Sequence, residues 1–72
     1  MTIQEAVQSN REVTLNGESS FQYFEAGTGP HKTLVDCSYF VLKDYLDDEP
    51  YFSTSIDLYP EDLLSDKWRF VE

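Results

Sequence analysis

The stretch 44–52, Asp-Tyr-Leu-Asp-Asp-Glu-Pro-Tyr-Phe, gathers four carboxylates and three aromatic rings around one proline. Acids grouped in this way can serve metal binding, acid–base catalysis or electrostatic recognition. The spacing of Asp44, Asp47, Asp48 and Glu49 argues against a metal. A calcium loop takes ligands from alternate positions and needs a glycine for its sharp turn, and none stands between 44 and 52. Glycoside cleavage would need two carboxylates facing each other across a sugar cleft, which so short a chain has little room to build. His31 and Cys37 raise the question of a nucleophile. Cys37 lies in phase with Val35 and Tyr39 and is expected on a buried apolar face, where a thiol is raised in pKa and inert. Gly27-Thr28-Gly29 is a turn, not a phosphate-cradling loop. These residues point to no catalytic group, no metal site, no cofactor and no enzyme.

Recognition by charge is the chemistry left. Formal net charge is −9, from fourteen acidic residues against five Lys and Arg. Alternate residues on a strand lie on one face about 6.6 Å apart, comparable to the spacing of successive phosphates. Outward Asp36, Asp44 and Asp57, joined to Asp47, Asp48 and Glu49 and extended by Glu12 and Glu25, could form a row resembling a nucleic-acid backbone. Tyr45, Tyr51 and Phe52 beside them would be amphipathic anchors of the kind found at interface hot spots. The partner so implied is a protein with a basic surface. Solubility alone would explain the same charge. Direct binding of nucleic acid is not expected, because phosphate recognition runs on Lys and Arg.

The elements that must position these groups can be read from periodicity. Residues 2–8 read as a short helix capped by Thr2, with Glu5 completing a capping box. Ile3, Ala6 and Val7 share one face, and Asn10 suits the left-handed position after the helix. Residues 11–16 read as a strand, with Val13 and Leu15 on one side and Glu12 and Thr14 on the other. Asn16-Gly17 suggests a tight hairpin. The return strand spans 20–26, with Phe21 and Tyr23 on one face and Gln22 and Phe24 on the other. The longest strand is expected over 33–46, with a turn at 47–50 and a partner strand over 51–58 that sets Val41 near Ile56 and Tyr39 near Leu58. Pro60 opens a helical turn over 60–65, and 67–71 reads as a last strand with Trp68 and Phe70 inward. The fold class is α+β: a short N-terminal helix, then a mainly antiparallel sheet of about five strands in one small domain, 1–72.

A chain of 72 residues builds only a marginal core. A two-turn helix covers one sheet face, which leaves Leu34, Phe40, Leu42, Leu46, Tyr51 and Tyr59 to be buried by curling of the sheet, by a partner protein or by self-association as a homodimer or larger homo-oligomer. Cys37 is the one cysteine, so no intrachain disulfide can form, and a lone thiol fits a reducing cytoplasm. No apolar run is long enough to span a bilayer and Met1 opens no signal-peptide pattern, so neither a membrane nor secretion is expected.

The two ends of the chain carry a resemblance. Ile3, Ala6, Val7 and Val13, in a helix running into a strand, resemble the opening of small phage-encoded proteins. Glu61-Asp62-Leu63-Leu64-Ser65-Asp66-Lys67-Trp68 with Val71 is similar to their acid-leucine-leucine, acid, tryptophan ending. That group includes the Thoeris anti-defence family, oligomeric proteins that sequester a cyclic nucleotide signal. The resemblance implies phage origin, residence in the host cytoplasm and a counter-defence role. Members typically have a glycine where Asn10 stands and a basic-basic-x-Trp stretch where this chain has Glu12-Val13-Thr14-Leu15. With so few cations, holding an anionic nucleotide is electrostatically disfavoured. Such a sponge would have to use Arg11, Arg69 and aromatic stacking at an oligomer interface.

Overall fold

A computed structural model describes residues 1–44 and 47–71, and for Asp47 and Asp48 the backbone alone. Helix α1 spans Ile3–Gln8 and is followed by strands β1 (Val13–Thr14), β2 (Ser20–Phe24), β3 (Tyr39–Asp44) and β4 (Asp47–Ser53). Helix α2 (Pro60–Leu64) and strand β5 (Arg69–Phe70) complete an α+β architecture. The strands form one antiparallel sheet in the order β4-β3-β2-β1-β5, so the C-terminal strand returns beside the first.

Local chemistry sets the ends of α1. The Thr2 hydroxyl accepts from the Glu5 N–H, and the Glu5 carboxylate accepts from the Thr2 N–H at 3.1 Å. These bonds hold the Glu5 carboxyl below its ordinary pKa, the backbone bond from Thr2 more than the hydroxyl bond. Asn10 takes φ 57° just beyond the helix, the left-handed geometry that asparagine tolerates. Two turns of helix need docking to persist, and Ala6 is buried against Val13, Phe21 and Trp68.

Alternation along the strands gives the sheet two unlike faces. On the first, Phe21 packs edge-on against Phe40 and Trp68, with ring centroids 5.8 and 5.4 Å apart. Helix α1 covers one part of this face, and Ile56 and Leu58 close over another. On the second face Tyr39 is fully buried under the connection 25–38. Its hydroxyl donates to the Thr28 carbonyl at 2.7 Å and accepts from the His31 N–H at 3.0 Å. Phe24 stacks on Tyr39, and His31 lies over Phe52 with centroids 4.7 Å apart. Gly29 takes φ +82° there, and a Cβ on it would collide with the Tyr39 hydroxyl and the Phe24 ring.

Several expectations are corrected. The long strand over 33–46 begins only at Tyr39, because residues 31–35 close a turn in which the Leu34 and Val35 N–H groups donate to the His31 carbonyl. Cys37 is consequently exposed, not buried. Residues 47–50 are strand, not turn, and Asp44 pairs with Asp47; residues 45 and 46 lie outside the described residues. Val41 pairs with Phe52, four residues from the expected Ile56, and the strand ends at Ser53. The β1–β2 connection is five residues long, 15–19, because Asn16 spends its side chain accepting the Glu18 N–H and Gly17 alone takes a positive φ within it. The patch expected to lie uncovered is dispersed. Phe40 and Leu42 pack on the core, Leu34 and Tyr59 are 76% and 73% exposed, and Leu46 lies outside the described residues.

Candidate acidic binding groove

The segment 54–58 leaves β4 and crosses the first sheet face before α2. Its alternation puts Ile56 and Leu58 against the core, while Asp57 is exposed at the edge of the strap. Pro60 then opens α2, whose Asp62 carbonyl accepts the Trp68 indole N–H at 3.1 Å. This strap does not seal against the sheet. It leaves a groove of about 350 Å³ with Phe21, Leu42, Ile56, Leu58 and Trp68 among its walls and Asp44, Asp57 and Asp62 beside them. Tyr51 also lines it, paired across the ladder with Leu42, and its hydroxyl donates to an Asp44 carboxylate oxygen at 3.2 Å.

The residues anticipated for partner binding divide between the two faces. Asp44, Tyr51 and Asp57 come together at this groove. Glu49, exposed on β4, precedes Tyr51 by two and so shares its face. The backbone of Asp47 and Asp48 lies at the start of β4, next to Asp44. Phe52 cannot act with Tyr51, because adjacent strand residues point to opposite faces; it packs on His31 and Tyr39 under the connection 25–38. Asp36 is exposed within that connection, which covers the second face. Tyr45 lies outside the described residues. A single row of carboxylates spanning Asp36, Asp44 and Asp57 is therefore not what the fold presents.

Strand periodicity gave no hint of Asp62, Ile56, Leu58 and Trp68 as groove residues. The available signal was Pro60, two residues after Leu58, which argues for a segment leaving the sheet.

A second cavity, about 410 Å³, opens on the other face beyond the reach of the connection 25–38. The cross-strand row Arg69–Thr14–Ser20–Lys43 lies along it. Glu12, Glu18 and Asp44 share this cavity, and Glu12 accepts from the Ser20 hydroxyl at 2.6 Å. Arg11 is not in it; its guanidinium sits 3.9 Å over the Phe70 ring. Among the described residues no three His, Cys, Asp or Glu side chains are placed to share a metal ion, and no helix is long and apolar enough to cross a membrane. In comparison with family models, curated proteins and solved structures, the chain matches none.

Proposed function

We propose that this chain is a small binding protein, not an enzyme, that occupies a basic, nucleic-acid-binding surface of another protein. The observation that carries the reading is the open apolar groove between the β3–β4 hairpin and the 54–58 strap, where Asp44 and Asp57 accompany Tyr51, with Glu49 exposed on β4, on a chain of net charge −9. Carboxylates beside an aromatic ring and unsealed apolar surface are what a basic, partly apolar protein surface would meet favourably. The resemblance of the chain ends to small phage-encoded proteins is the reason to look for the target among host defence proteins, in the host cytoplasm.

Capture from host lysate at low and high salt, followed by displacement with duplex DNA, tests this reading. The expected result is a nucleic-acid-binding protein whose retention falls steeply with salt and which DNA releases. Retention that ignores both salt and DNA overturns it.

One observation favours a second reading, an oligomeric nucleotide-sequestering protein. Arg69 and Lys43 line the larger cavity together with the hydroxyl-bearing residues Thr14, Ser19 and Ser20. Its three carboxylates oppose an anion. Absence of a thermal shift with saturating cyclic nucleotides removes this alternative.

A further inference from the structure

We infer that the groove under the 54–58 strap is a receptor for an arginine side chain of the partner protein; the inference rests on the reading of the acidic surface as partner-facing. Two features of the groove choose this occupant. First, its walls are apolar at the core side, from Leu42, Ile56, Leu58 and Trp68, and carboxylate-bearing beside them, from Asp44, Asp57 and Asp62. No Lys, Arg or His is among its described lining residues, so its local formal charge is −3, whereas the larger cavity sets Lys43 and Arg69 against three acids. A cation is therefore what the smaller groove lacks. Second, no three of these carboxylates are placed to share one metal ion, so they offer a compact inorganic cation no three-carboxylate site. A guanidinium does, because it spreads five N–H donors over a planar fork and can reach carboxylates that stand apart. Its three-methylene stem lies well on apolar surface while the head stays at the polar rim.

The volume is consistent with this choice. At about 350 Å³ the groove is at the small end of ligand sites, suited to one or two side chains and not to an extended cofactor. Tyr51 adds an aromatic ring, with its hydroxyl already engaged by Asp44, and arginine stacks on such rings better than lysine.

Trp68 is the single tryptophan and stands in the groove wall, so occupation can be read directly. The full chain, labelled with ¹⁵N, is titrated with a hexa-arginine amide and with the hexa-citrulline amide, which keeps the shape but lacks the charge. The arginine peptide is expected to shift the Trp68 indole N–H and the Leu42 and Ile56 amides, and the citrulline peptide to shift none. Asp57→Asn with Asp62→Asn should weaken binding about tenfold, the effect of two partly exposed charge pairs. Glu25→Gln with Asp36→Asn removes the same charge from the connection 25–38 and should change affinity less than about twofold. Thermal melting of both double variants establishes that each is folded. If both pairs weaken binding equally, the groove assignment is overturned while the acidic-surface reading stands. If the arginine peptide does not bind at low salt, both fall.

Discussion

Replacing Tyr39 by Phe tests the arrangement that most distinguishes this fold. The ring is completely buried, and its hydroxyl makes the two bonds that hold the connection 25–38 on the second face, to Thr28 at 2.7 Å and from His31 at 3.0 Å. Removing the oxygen deletes both bonds, each with a net contribution of about 1 kcal/mol, and leaves a carbonyl and an N–H without partners. Both sites are part-buried, so water relieves some of the desolvation, and the expected loss is about 2–3 kcal/mol. Stability of roughly 0.05–0.15 kcal/mol per residue implies about 4–11 kcal/mol for a chain of this size, so about a fifth of the total or more is at stake. Urea unfolding followed by Trp68 fluorescence is the assay, because Trp68 packs on the other face and reports global unfolding. The midpoint should fall with the denaturant slope unchanged, and the melting temperature should drop by roughly 10–20 °C. Exchange of the His31 amide should accelerate in step. A loss below about 0.5 kcal/mol with His31 protection unchanged would refute the claim that this hydroxyl pins the connection.

Gly29→Ala should destabilise by about 2–4 kcal/mol, from left-handed strain plus collision with Phe24 and Tyr39; Gly27→Ala, at φ +80° with nothing near, should cost about 1–2 kcal/mol, and equal costs in chemical unfolding would remove the collision. Because the folded-state pKa of Glu5 is lowered, its capping contribution is present above the unfolded value of about 4.5 and is lost as pH falls through the folded value. Glu5→Gln should therefore lower thermal stability at neutral pH, and the gap should close on acidification. Reversing Asp47, Asp48 and Glu49 to Lys should leave the melting temperature within a few degrees, since charges on an edge strand contribute little, yet abolish capture of the basic partner; capture that survives would remove these acids from the binding surface.

Helix α1 and its capping box, the left-handed Asn10, the turn at Pro60 and the alternation of Phe21 and Tyr23 against Gln22 and Phe24 in β2 were legible in the chain, whereas Phe52, read in phase with Ile56 and Leu58, lies on the opposite face from them. Each of the legible features depends on interactions within a few residues: a cap bond from i to i+3, a backbone angle one residue tolerates, a side-chain alternation every two positions. Register and coverage were not legible. Whether Val41 meets Phe52 or Ile56, and whether 33–38 continue a strand or fold back to bring His31 over Phe52, depends on long-range partners. The Tyr39 hydroxyl is satisfied only if the connection turns back over the sheet, and that condition outweighs the strand-like alternation of Val35, Cys37 and Tyr39. The stretch 44–52 illustrates the division. Its composition alone established an acidic, aromatic segment. Tertiary structure decided that Tyr51 joins Asp44 and Asp57 at a groove while Phe52 is turned to the opposite face, because a pleated strand sends neighbouring side chains to opposite sides and only the pairing register says which side is which.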